Sequence, residues 1–171
     1  NRRILTNFGL MDEAKKGKIF DEKTALAKAE HFCAYQERSQ QEVRDKLYEW
    51  GQYPRVIEQI ITKLIESGYL NEQRFAIAYA TGKFRQKGWG KIKIKQGLKL
   101  KKVSEPLIKL ALKNIDGDEY LEMLRKIIQK KEATISEKVS YKRKYKLHQY
   151  ALSRGYENDL IGDILREGGM G

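Results

Sequence analysis

KFRQKGWGKIKIKQGLKLKK, residues 83–102, holds nine basic residues and no acid, and the way it folds decides how the whole chain is read. Taken alone, its second half has the grammar of a β-hairpin. Lys91-Ile92-Lys93-Ile94-Lys95 and Leu98-Lys99-Leu100-Lys101 alternate apolar and basic residues on either side of Gln96-Gly97. The rest of the chain predicts otherwise. Moved back by 51 residues, the stretch falls on Ser39-Gln40-Gln41-Glu42 and the residues that follow. Those four form a capping box, in which the Ser39 hydroxyl accepts from the amide three residues on and Glu42 reaches back to the Ser39 amide. Val43, Leu47 and Trp50 carry that helix along one face, and Gly51 stops it by tolerating a left-handed turn.

The same shift lays Val43, Leu47, Val56, Ile57, Ile60 and Ile61 over Ile94, Leu98, Leu107, Ile108, Ala111 and Leu112, with Ser104 on Tyr53 at a helix N-cap. A shift of 104 lays Val43, Leu47, Gly51, Val56, Ile57, Ile60 and Ile61 over Leu147, Ala151, Gly155, Leu160, Ile161, Ile164 and Leu165. Three units of roughly 52 residues result, each opened by one further helix, near 24–36, 72–86 and 118–131. Self-similarity at a fixed period marks a repeat array in which each unit shares its apolar face with its neighbours. The expected fold is all-α: three tandem three-helix repeats at 23–70, 71–116 and 117–171, after an arm at 1–22. The arm shows no clear period, Gly9 and Gly17 interrupt its Ile4, Leu5, Phe8, Leu10 and Met11, and it is expected to be loosely attached.

The repeat therefore makes 91–102 a helix with Ile94 and Leu98 inward and most lysines outward. Local propensity opposes this, because a glycine such as Gly97 in a helix interior costs about 1 kcal/mol relative to alanine. Ile92 and Leu100 stay off the inward face. Pro54 suits the first turn of the third helix of unit one, where its missing N–H has no intrahelical partner. Trp50, Phe75 and Tyr79 are expected in the core, with Arg74 at its edge in a structural ion pair or a partner contact.

Charge gives the first functional signal. The net charge is +12, and residues 71–116 hold 12 basic against 3 acidic residues, with no acid between Glu72 and Glu105. Units one and three are close to balanced. A one-signed surface of this length attracts a polyanion or an acidic partner face. The single cysteine, Cys33, lies in an apolar helical pattern and reads as a buried thiol in a reducing compartment. No apolar run reaches membrane-spanning length, and the N-terminal segment lacks the apolar centre of a signal peptide. The cytoplasm is the expected location, with no membrane partner. The sequence begins at Asn1 rather than Met, so the natural N-terminus is expected to differ.

Catalysis finds no constellation to carry it. His31 and His148 lie in separate units, each without a second metal ligand nearby in sequence, so neither a metal nor a cofactor is expected. Gly88-Trp89-Gly90-Lys91 lacks the glycine spacing and the Ser or Thr of a phosphate loop. Asp116 and Asp118 flank a glycine, which predicts a turn and an N-cap rather than an acid–base pair.

Four segments carry a family resemblance. Arg38-Ser39…Glu42-Val43-Arg44…Lys46-Leu47…Gly51, then GYLNEQRFA at 68–76, then Gly88-Trp89-Gly90-Lys91, and Leu147…Arg154-Gly155-Tyr156 are similar to the RecX family, regulators of the RecA recombinase. GYLNEQRFA, against that family's GYL-[DN]-[DE]-x-RFA signature, is the most specific. Two departures stand out: Gly97 where the family usually has Glu, and Lys102 where it usually has Gly, so the second helix of unit two is expected to be looser or to end differently. The resemblance spans about residues 24–166 and implies an elongated, curved array of helical triplets. It also implies a non-enzymatic protein that binds in the groove of the RecA–DNA filament, suppresses ATP hydrolysis, strand exchange and co-protease activity, and binds single- and double-stranded DNA directly, here as a monomer.

For that contact the candidates are Lys83, Arg85, Lys87, Lys91, Lys93, Lys95, Lys99, Lys101 and Lys102, with a second patch at Lys142, Arg143, Lys144 and Lys146. Trp89 either stacks on a base or partner groove or packs between repeats. Reversing Lys91, Lys95 and Lys99 to Glu is expected to leave the fold intact and weaken binding. The competing class is a stand-alone nucleic-acid-binding protein whose helical triplets need no recombinase.

Overall fold

The computed structural model describes residues 19–168, and every regular element among them is an α-helix. The first triplet is α1 (Glu22–Tyr35), α2 (Gln40–Glu49) and α3 (Pro54–Glu66); the second is α4 (Glu72–Lys87), α5 (Lys91–Leu100) and α6 (Glu105–Lys113). The third comprises α7 (Gly117–Glu132), α8 (Ser140–Ser153) and α9 (Asn158–Glu167). The apparent hairpin is the unbroken helix α5, and its Ile94 and Leu98 are fully buried. Burial of two large aliphatics, each worth about 1.5–3 kcal/mol, outweighs the local cost of Gly97. That glycine also has a steric role. A Cβ there would meet the Tyr79 ring carbon Cζ at 3.0 Å and its hydroxyl closer still.

The starts of the helices follow the sequence rules. The Ser39–Glu42 capping box forms in full at α2, Asn71 caps α4, and Asp116 caps α7 by accepting from the Asp118 and Glu119 amides. Asp21 caps α1, so that helix opens two residues before the predicted start. Ile4, Leu5, Phe8, Leu10 and Met11 of the arm lie outside the described residues. Its last part is tied down: the Phe20 amide donates to the Trp50 carbonyl at 3.3 Å, and Gln52 Nε2 donates to the Phe20 carbonyl at 2.6 Å.

The shared-face expectation holds for only one of the two junctions. Ala25, Ala29, Cys33, Val43, Leu47, Ile57, Ile60, Ile61, Leu64 and Leu70 form a core belonging to the first triplet alone, whereas triplets two and three share one continuous core. Trp50 and Tyr79, expected inside, are half-buried: Trp50 edges onto Phe20 and Phe32, and Tyr79 lies over Gly97 beside the buried Phe75.

The reason lies where the middle helix of one triplet begins against the end of the next triplet's middle helix. Between triplets two and three both backbones carry glycine. The Gly90 amide donates to the Arg154 carbonyl at 2.8 Å, and the Ile92 amide to the Gly155 carbonyl at 3.0 Å. A Cβ on Gly90 would sit 2.5 Å from the Tyr156 nitrogen, and one on Gly155 would sit 2.6 Å from the Lys93 nitrogen. Between triplets one and two the equivalent residues are Ser39 and Lys102, and side chains bridge the gap instead. Lys101 Nζ meets Glu42 Oε1 at 2.8 Å, Glu72 accepts from the Gln40 amide at 2.9 Å, and Arg74 pairs with Glu37 at 2.8 Å.

Candidate nucleic-acid and partner interface

The end of α4, the Gly88-Trp89-Gly90 turn and the start of α5 form the centre of the basic stretch. Gly88 stops α4 in the left-handed conformation, with φ +61, and its amide and that of Trp89 satisfy the last carbonyls of the helix. The turn is then fastened to the third triplet. The buried Tyr156 hydroxyl donates to the Gly88 carbonyl at 3.3 Å, and the Lys91 amide donates to the Tyr120 hydroxyl at 2.9 Å. Tyr120 in turn donates to Glu157 Oε2 at 2.6 Å and stacks on Tyr156 with ring centroids 5.0 Å apart. Burial, followed by the bond to the Glu157 carboxylate, drives the Tyr120 phenol well above its ordinary range, so it stays a proton donor.

Trp89 is half-buried against the shared core, so it packs at the junction of triplets two and three. It is also framed by charge. The Lys83 and Lys93 ammonium groups stand 5.0 and 4.9 Å from its ring centroid, close enough for cation–π attraction. Lys91 Nζ lies 4.7 Å from the Tyr120 ring. These aromatic contacts hold the three lysines in place and leave their charge uncancelled.

The predicted basic set divides by whether a carboxylate answers it. Lys83, Lys87, Lys91, Lys93 and Lys102 in triplet two, with Lys142 and Lys144 in triplet three, have no acidic side chain in ion-pair range among the described residues. Arg85 pairs with Glu119 at 3.2 Å, Lys101 with Glu42, and Lys146 with Glu137 at 3.5 Å. Arg143 is structural as well, reaching the Glu132 side chain and the Glu132 and Ile135 carbonyls at the end of α7. Lys95 and Lys99 both face Glu105, whose carboxyl is held below its usual range first by the Lys95 hydrogen bond. Reversing Lys95 or Lys99 to Glu would set like charges against Glu105 across an exposed contact, so such a variant would alter that contact as well as binding.

Lys102 has an unusual backbone. Its φ of +56 makes it the one non-glycine residue with positive φ among the described residues, at the position held by Gly51 (φ +77) and Gly155 (φ +91) in the other triplets. The departure from glycine thus keeps the left-handed turn and places a side chain in it. His31 lies in α1 and His148 in α8, and no group of three potential metal ligands occurs among the described residues. No helix among them is long and apolar enough to cross a membrane.

Residues 25–64, 71–112 and 118–165 match, in order, the first, second and third three-helix domains of RecX. The chain belongs to the RecX family. It is 27% identical over 175 residues to the regulatory protein RecX of Bacillus mycoides, an alignment covering 98% of this chain and 65% of that relative. With the regulatory protein RecX of Clostridium acetobutylicum it shares 31% identity over 147 residues, 84% of this chain and 68% of the relative. The chain thus spans about two thirds of the length of these RecX relatives. The crystal structure of RecX from Lactobacillus salivarius superposes with a TM-score of 0.78 at 25% identity, over 85% of this chain and 95% of that one.

The Gly90–Gly155 backbone contact and the Tyr120–Tyr156–Glu157 cluster are the parts of this candidate site in a RecX-family chain that sequence reasoning missed. A signal for the first was present: aligning the repeats sets glycine at both faces of the second junction and at neither face of the first.

Proposed function

We propose that this protein is a non-enzymatic regulator of RecA that binds the RecA–DNA filament, touching DNA and recombinase together, and lowers its ATP hydrolysis, strand exchange and co-protease activity in DNA repair and recombination. It works as a cytoplasmic monomer without metal or cofactor. Family membership supports the reading, and the observation that carries it is the set of lysines no carboxylate answers: Lys83 and Lys93 held at the Trp89 ring, Lys91 at the Tyr120 ring, and Lys87 at the end of α4. Such a cluster seats phosphates without first breaking an internal ion pair.

Two measurements test the reading. RecA-catalysed ATP hydrolysis on single-stranded DNA is followed with this protein at levels too low to coat the DNA. Inhibition at those ratios is expected, whereas inhibition that begins only when the DNA is saturated would point to a stand-alone DNA-binding protein. Direct DNA binding should fall steeply with salt: neutralising about six phosphates gives a log–log slope of roughly −5. Changing Lys87, Lys91 and Lys102 to Gln should reduce the magnitude of that slope by about 2–3 without altering the fold, and an unchanged slope would remove these residues from the DNA contact.

A further inference from the structure

The outward face of α5 differs from the lysine cluster at its start. Ile92, Gln96, Lys99 and Leu100 recur at positions i, i+4, i+7 and i+8, a single stripe opposite the buried Ile94 and Leu98. Leu100 is 82% exposed and Ile92 44% exposed. The scaffold does not ask for apolar residues there, because the same positions in α2 hold Gln41 and Glu49. Two of the lysines along this face are tempered: Lys95 and Lys99 converge on Glu105, with Lys99 Nζ at 3.8 Å. A carboxylate within the face repels phosphate, and an exposed leucine gains little against a phosphodiester backbone. Both features suit a protein partner, whose aliphatic or aromatic side chains can cover Leu100 and Ile92 and whose carboxylates can displace Glu105 from Lys99.

From these observations we infer that the Ile92–Gln96–Lys99–Leu100 stripe of α5 is a protein-docking face for an apolar surface edged with carboxylates, and that phosphates go instead to the cluster around Trp89. The inference rests on the filament reading above and divides its two ligands: the stripe takes the recombinase subunit, and the lysine cluster takes DNA. One helix then holds protein along its outward face and nucleic acid at its start.

The test uses the double substitution Ile92→Ser and Leu100→Ser in the full chain, which changes no charge and removes only exposed side chains. Thermal unfolding checks that the fold is retained. The variant is expected to bind free single- and double-stranded DNA as the parent does, with the same salt slope. The concentration needed to inhibit RecA ATP hydrolysis should rise by about tenfold or more, the loss typical of removing a central apolar anchor. Unchanged inhibition with intact DNA binding overturns the inference and leaves the filament reading standing. An equal loss of DNA binding and inhibition also overturns it, by placing the stripe on DNA. Failure of the parent chain to inhibit RecA at all removes the filament reading, and the docking face with it.

Discussion

Gly90→Ala places one methyl group where the second and third triplets meet, and its cost can be worked from the contact. The new Cβ would lie 2.5 Å from the Tyr156 nitrogen and closer to the Gly155 carbonyl, all of it backbone that no rotamer change can clear. Separating the two backbone segments enough to admit the methyl breaks the Gly90–Arg154 and Ile92–Gly155 hydrogen bonds, which lie within the same contact. Overpacking costs about 1–3 kcal/mol, and each lost bond about 1 kcal/mol net. The sum, roughly 3–5 kcal/mol, is a large part of the stability of an ordinary domain and corresponds to a fall in Tm of about 10 °C. Gly82→Ala is the matched control. It sits inside α4 with nothing within 4 Å of its Cβ, so helix propensity should raise stability by about 0.5–1 kcal/mol. Urea and thermal unfolding followed by far-ultraviolet circular dichroism measure both. A Gly90→Ala variant within about 1 kcal/mol of the parent would refute the claim that glycine is what lets these backbones meet.

Three further outcomes follow from other contacts. Lys102→Gly should stabilise the chain by about 0.5–1 kcal/mol in urea titrations, since an L-residue pays about 1–2 kcal/mol in the left-handed region and glycine's extra unfolded-state entropy returns part of it. A loss of stability would mean that the lysine side chain is held by something that compensates the turn. Burial alone would raise the Glu42 carboxyl, but bonds from Lys101 and the Ser39 amide and the charges of Lys101 and Arg38 outweigh it and hold the group below its ordinary value of 4.5. The stability from Glu42 is thus complete above its unfolded pKa and is lost as pH falls through the lower folded one. Glu42→Gln, which can still cap Ser39, should cost about 1 kcal/mol at neutral pH and flatten that acid limb in unfolding titrations; an unchanged limb would assign the loss elsewhere. Desolvation raises the Cys33 thiol to about 11, so alkylation in mildly alkaline buffer should be negligible until urea unfolds the chain, and rapid labelling of the folded protein would contradict its burial.

The architecture was legible wherever repetition and capping agreed. Val43 and Leu47 predict Ile94 and Leu98, and that register overrides an alternation that locally reads as a strand. Junction chemistry was harder to read. Apolar patterning locates the inward face of each triplet, but whether neighbouring triplets merge their cores depends on single residues at the helix ends, here glycine or its replacement. The basic set was legible as charge and illegible as availability. Lys95 and Lys87 look alike in sequence, yet one faces Glu105 from the next helix and the other faces no carboxylate. Pairing of that kind is set by tertiary placement, which spacing along the chain does not encode. Trp89 shows the same limit, since its two readings differ only in what the third triplet brings beside it.

The unlike junctions make the molecule two bodies rather than three. Triplets two and three are welded through backbone, while the first is attached by ion pairs and side-chain hydrogen bonds that water and salt can contest. A ligand that engages both bodies therefore meets a tethered pair, and its grip is a matter of avidity: the second contact forms at the effective concentration set by the joint rather than by bulk solution. Rising ionic strength would then act twice on such a complex, once by screening the lysines and once by slackening the tether that brings the first triplet into register.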